Sequence, residues 1–151
     1  MNFDTYKPEY AAAFKALNIH WLEQFFTVEQ HDQNVLCNPA KYIINTGGDI
    51  LVAKLEDNVV GVVALMPDEN GVFELTKMAV DSHYRGQKIG QQLLQFTIDF
   101  ARKKGLDSLI LYSSRKLENA IYLYHKFGFK EIPLEQPNPH LRADIKMQIK
   151  L

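Results

Sequence analysis

Apolar residues along this chain recur with more than one period, and each change of period predicts an element boundary. Tyr10, Phe14, Leu17, Trp21 and Phe25 return at helical spacing, which predicts an amphipathic helix over Glu9–Phe26. Pro8 suits its start, where a missing N–H costs nothing. Asn2–Lys7 before it reads as a short first strand. Thr27–Asn38 is polar and without period, and is expected to be irregular. Asn38-Pro39 has the form of a cap and first helical residue, and Gly47-Gly48 stops any helix begun there. Ile50–Leu55 and Val59–Leu65 are predicted strands around a tight hairpin at Asp57-Asn58. Asp68–Gly71 is the next turn, and Val72–Val80 is the third strand of a meander.

The second half alternates strand and helix. Ile89, Leu93, Phe96, Thr97 and Phe100 form the inner face of a helix that Gly105 ends. Leu109–Tyr112 is a short apolar strand of the buried parallel kind. Glu118–Phe127 is a further helix, closed by Gly128. Phe129–Ile132 is a strand, Pro133–Pro139 a proline-rich loop, and Arg142–Leu151 a last strand with Ile145, Met147, Ile149 and Leu151 alternating. This order predicts an α/β fold with helices layered on a mixed sheet. The final strand is expected to be exposed, so a homodimer formed by edge pairing is one expectation.

Composition narrows the function classes. The 151 residues suit one domain over 1–151, and a hydrophobic share of 46% suits a packed core. A net charge of −1, with no long basic run, argues against a nucleic-acid partner. The start, MNFDTYKPEY, does not read as a signal peptide, and no apolar run approaches membrane-spanning length. One cysteine, Cys37, excludes an internal disulfide. A cytoplasmic protein without a membrane partner is therefore the expectation. His20, His31, His83, His125 and His140 show no ligand spacing with Cys or acidic partners, so no metal site is expected. Neither GxGxxG after the first strand nor GxxxxGK[ST] is present, which makes dinucleotide and nucleoside-triphosphate readings poor.

The stretch from Val72 to Gly90, VFELTKMAVDSHYRGQKIG, carries the chemistry. It reads as a strand, a short loop and the first turn of a helix. A helix start presents unpaired N–H groups and partial positive charge, which suits a phosphate. Arg85 adds a full charge and Lys88 a second. RGQKIG, preceded by ELTKMAV and followed by QQLLQF, resembles the acetyl-CoA loop of the GNAT superfamily of N-acetyltransferases, Arg/Gln-x-x-Gly-x-Gly/Ala. Arg85 and Gly90 match its ends, and Lys88 stands where Gly is usual. Because the pattern runs straight into a helix, Lys88 is expected to lie in the right-handed helical region.

The resemblance covers nearly the whole chain. It implies a GNAT-like fold, with a central mixed, mostly antiparallel sheet flanked by helices on both faces. It implies acetyl-CoA as cofactor and an amine, small molecule or peptide, as acceptor. Backbone amides of Arg85, Gly86, Gln87, Lys88, Ile89, Gly90 and Gln91 would meet the diphosphate. The strand Met78-Ala79-Val80 would pair with the pantetheine arm, and a bulge there would free an N–H for the thioester oxygen. Glu74 matches the glutamate that some members use as a base; it also reads as a solvated carboxylate paired with Lys77 or Lys54. A partly buried carboxylate can accept a proton near neutral pH.

Tyr124, in NAIYLYHKFGF, sits in register with Gly128-Phe129 of the family's second signature and is the candidate acid for the leaving thiolate. Asn119 would bond to the pantetheine arm, or serve only the helix start. Tyr122 faces elsewhere. In the resemblance, Glu29, His31 and Asp32 border the region where the acceptor enters, where acidic groups would draw in an ammonium; the residues themselves read first as a solvated loop. Tyr42 and His140-Leu141-Arg142 are further wall candidates, and Arg142 is also suited to grip a carboxylate. Direct transfer in a ternary complex is the expected route, because Cys37 has no visible activating partner. A non-catalytic acyl-CoA sensor and a transferase of longer acyl groups are the alternatives.

Overall fold

A computed structural model describes residues 1–84 and 86–151, so the expectation for Arg85 lies outside the described residues. Strands β1 (Asn2–Thr5), β2 (Asp49–Leu55), β3 (Asn58–Pro67), β4 (Phe73–Val80), β5 (Ser108–Ser113), β6 (Lys130–Ile132) and β7 (Ile145–Lys150) form one sheet in the order β1-β2-β3-β4-β5-β7-β6. All neighbours are antiparallel except β4 and β5. Helices α1 (Ala11–Phe25), α2 (Gln30–Cys37), α3 (Ile89–Lys104) and α4 (Glu118–Lys126) cover the two faces. This is the mixed, mostly antiparallel α/β sheet that the sequence predicted.

Two differences have physical causes. Gln30–Cys37 is a helix, not an irregular stretch. Its start is tied by a hydrogen bond from the Glu29 amide to the Asp32 carboxylate at 2.9 Å, and its Val35 and Leu36 are buried. Two apolar residues among eight were too few to show a period. The final strand is also not an edge. β7 lies between β5 and β6, so it has no free side for a second copy; the edges are β1 and β6.

Alternation on the strands sorts the core into two layers. Leu51 and Ala53 face the layer that holds α3, whereas Ile50 and Val52 face the layer of α1 and α2. On β4 the alternation breaks once. Leu75 faces the α3 layer, but Ala79, an even number of residues later, faces α1 and α2. The cause is in the register: Val62 pairs with Ala79 and Ala64 with Thr76. Lys77 and Met78 therefore both oppose Val63, which makes a β-bulge. Lys77 takes the left-handed conformation there, with φ 54°.

α3 seats Ile89, Leu93, Leu94 and Ile98 on the sheet, all nearly inaccessible to solvent. Burial of each contributes about 1.5–3 kcal/mol. α4 ends in a Schellman motif: Phe129 N–H donates to Tyr124 O at 3.0 Å and Gly128 N–H to His125 O at 3.1 Å. Gly128 supplies the required positive φ of 104°. The turn drops Phe129 into the core, where its ring meets Tyr124 edge-on at 5.8 Å. The spacing from Tyr124 to Phe129 is thus a geometric lock on the phenol.

Candidate functional site

β4 and β5 pair only through Phe73 with Leu109 and Glu74 with Ile110. Beyond that point the two strands separate. β5 keeps β7 as its partner through Ser113, and β4 keeps β3 through Val80. The gap between them opens a cavity of about 380 Å³. Glu74 to Val80 form one wall and Leu111 to Ser114 the other, with Gly90 at the start of α3, Leu117, Ala120, Leu123 and Tyr124 of α4, and Trp21, Leu22 and Phe26 near the end of α1. A sheet split in this way offers unpaired backbone groups along β4 to an extended ligand.

The residues that the sequence singled out divide into three groups. Glu74, Met78, Ala79, Val80, Gly90 and Tyr124 line the cavity. Gly86, Gln87, Lys88, Ile89 and Gln91 surround the start of α3, beside the cavity rather than within its lining. Asn119 is exposed on the first turn of α4 and is not among the lining residues. Tyr42 also lies away from the lining and packs against the layer of α1 and α2. The bulge expected near Met78 is present, one residue earlier at Lys77-Met78.

Lys88 departs from the expectation. It is the N-cap of α3 with φ 57° and ψ 31°, the left-handed region instead of the right-handed helical one. The chain must reverse sharply between the loop and the helix axis, and a left-handed residue makes that turn. For a side chain other than glycine this costs about 1 kcal/mol. Lys88 O accepts the first helical bond from Gln92 N–H at 3.1 Å. Among the described residues, the amides of Ile89, Gly90 and Gln91 have no acceptor. A Cβ on Gly90 would stand 3.8 Å from Val80 and 3.9 Å from Met78, so this turn can come within ordinary contact of a ligand lying on β4.

Tyr124 is half-buried, and no hydrogen-bond partner holds its hydroxyl among the described residues. Burial pushes its phenol up to about 12, so the group is a neutral donor at every physiological pH. Glu74 Oε1 stands 3.3 Å from His140 Nε2, not beside Lys77 or Lys54. The His140 ring packs on Tyr112 with centroids 4.4 Å apart. The Tyr112 hydroxyl donates to Glu135, whose carboxyl is held at about 2 by Lys146 first and Tyr112 second.

Asp32 lies behind the cavity, 1% exposed. Burial alone would raise its carboxyl. The Arg142 guanidinium, the Glu29 amide and the Lys77 ammonium together hold it below the usual range. Arg142 donates to both oxygens of Asp32, and Lys77 Nζ stands 3.6 Å from Oδ1. Asp32 is therefore neither part of a solvated loop nor an unpaired acid awaiting an ammonium, because Arg142 and Lys77 already balance it. Glu29 and His31 are exposed. No periodic signal joins Asp32 to Arg142, 110 positions later.

A family model described as acetyltransferase (GNAT) family matches residues 14–129. N-acetyltransferase family 8 member 2 of Rattus norvegicus is 30% identical over 118 residues, 75% of this chain and 52% of that protein. N-acetylaspartate synthetase of Xenopus tropicalis is 37% identical over 92 residues, 60% of this chain and 34% of that protein. The chain thus spans between a third and about half the length of these curated relatives. A GNAT-family acetyltransferase of Staphylococcus aureus Mu50 superposes with a TM-score of 0.85 at 27% identity, covering 99% of this chain and 98% of that one. The PaiA N-acetyltransferase of Thermoplasma acidophilum, solved in complex with coenzyme A, shares the fold with a TM-score of 0.72 at 20% identity over 100% of both chains.

Proposed function

This chain belongs to the acetyltransferase (GNAT) family, and from that premise we propose that it transfers the acetyl group of acetyl-CoA directly to a primary amine in a ternary complex. The observation that carries the reading is the split between β4 and β5 past Glu74 and Ile110, with Tyr124 of α4 and the start of α3 at the same cavity. The cofactor supplies an activated acyl group on a thiolate leaving group. The chain's own residues have four tasks.

Gly86 to Gln91 hold the diphosphate. The amides of Ile89, Gly90 and Gln91, without an acceptor among the described residues, and the positive end of the α3 dipole favour an anion there, and Arg85 and Lys88 add charge. Met78, Ala79 and Val80 receive the pantetheine arm as an added strand, and Asn119 contacts it from the rim of α4. The bulge at Lys77-Met78 leaves one residue of β4 out of register with β3, and a backbone N–H there polarises the carbonyl oxygen.

Glu74, directly or through a water, takes the proton that the attacking amine must lose, and His140 at 3.3 Å orients its carboxylate. Nitrogen bonds to the acyl carbon and the carbon–sulfur bond breaks. Tyr124 then meets the departing thiolate. A phenol near 12 facing a thiol of about 8.5 transfers its proton uphill by about 5 kcal/mol. Tyr124 therefore acts mainly by donating a hydrogen bond to sulfur as the charge develops, and solvent completes the protonation.

Free-thiol release from acetyl-CoA across a panel of amines tests this reading. Release that depends on an acceptor supports it. Tight coenzyme A binding with no release for any amine would instead favour a sensor.

A further inference from the structure

The side chains around the acceptor end of the cavity link β4 to the loop before β7 twice, once directly and once through Asp32 of α2. Glu74 and Lys77 stand three residues apart on β4, and His140 and Arg142 stand two apart on the loop before β7. Glu74 pairs with His140 at 3.3 Å. Lys77 and Arg142 converge on Asp32. Glu74, Lys77, His140 and Arg142 all line the cavity, and Asp32 does not. The counter-charges of the two cations, Asp32 and the exposed Glu29 at 3.7 Å from Arg142, therefore lie outside the lining, and the cations face the ligand.

Neither cation is exhausted by Asp32. Arg142 has five N–H donors and spends two on that carboxylate. Lys77 stands 3.6 Å from it, beyond hydrogen-bonding range, and keeps its three donors. The bulge sets its backbone at φ 54°, and its side chain is only 16% exposed. Trp21 and Phe26 make the surroundings apolar, which strengthens any charge pairing inside. The lining thus presents cationic donors, Lys77 and Arg142, at one end and the Glu74 carboxylate at the other. Three residues of strand bound their backbone separation at roughly 10 Å.

We propose, on the basis of the acetyltransferase reading above, that the acceptor is an amine carrying a carboxylate, with the carboxylate on Lys77 and Arg142 and the amine at Glu74. Such a zwitterion matches both poles. A polyamine presents a second ammonium to Lys77 and Arg142 and is repelled.

The test is thiol release from acetyl-CoA with the standard L-amino acids, their carboxamides and spermidine as acceptors. At least one amino acid should react with kcat/KM ten-fold or more above its own carboxamide. Lys77→Gln should shrink that acid-to-amide ratio at least five-fold, mainly through KM for the acid. Lys77→Gly, which accepts the left-handed backbone, serves as a second variant and should shrink it likewise. Carboxamides or spermidine reacting as well as the acids would overturn the inference while leaving acetyl transfer intact. So would an unchanged ratio in variants that still bind coenzyme A. No thiol release with any amine would overturn the acetyltransferase reading and this inference with it.

Discussion

At the scale of single residues, Tyr124 and Lys88 carry the most specific expectations. Tyr124→Phe should lower kcat about 100-fold, in the range ordinary for a positioned acid, while coenzyme A affinity measured by calorimetry changes less than three-fold. The phenol is raised from 10 to about 12 by burial. A folded-state value above the unfolded one means that its contribution to stability is fully present below pH 10 and is lost as pH rises toward 12. No alkaline loss of rate below about pH 10 should trace to it, and the pH profile of the wild-type enzyme checks that sign. Lys88→Gly should relieve the left-handed strain and raise unfolding free energy in urea by up to about 1 kcal/mol. The same variant should weaken coenzyme A several-fold and flatten the salt dependence of binding, because one cation near the diphosphate is gone.

At the scale of elements, the lock between α4 and the core sets where the phenol stands. Gly128→Ala places a side chain at φ 104°, with its Cβ 3.4 Å from Ile149. It should cost about 1–2 kcal/mol in urea unfolding and lower kcat by shifting Tyr124. The elements differ in how well the sequence showed them. α3 was legible because Ile89, Leu93 and Thr97 repeat on one face; the hairpin was legible too, but its two-residue turn is Glu56-Asp57, one residue before the expected Asp57-Asn58, and Asn58 already pairs with Leu55. α2 was hidden by its polarity. The bulge in β4 was anticipated only through the family resemblance. No residue type announces it, and its mark is the change of face between Leu75 and Ala79. Lys88 was misread because a run of helix-forming residues says nothing about the φ of the residue just before it.

At the scale of the molecule, the site is held together by contacts far apart in sequence. Asp32 on α2 binds Arg142 before β7 and Lys77 on β4, so one buried carboxylate joins three segments. Asp32→Asn would leave Lys77 without its counter-charge and Arg142 with only the exposed Glu29. It should destabilise the fold by about 3 kcal/mol, read as a lower midpoint in urea. Such pairings could not be read from the sequence, since acid and base gave no periodic signal and the loop between them folds only with the sheet. The same holds for His140, whose ring reaches Glu74 across the cavity. Among the described residues no helix is long and apolar enough to cross a membrane. The free strand edges are β1 and β6, so association through β7 would require β6 to leave.

Binding of the diphosphate by the start of α3, with the arm running along β4, is the claim on which the rest depends. Amide chemical shifts of labelled protein titrated with coenzyme A measure it directly. The largest changes should fall on Gly86 to Gln91 and on Met78 to Val80, with pantetheine alone shifting the second group and not the first. Saturable binding whose largest changes fall elsewhere, with both groups unmoved, would contradict it.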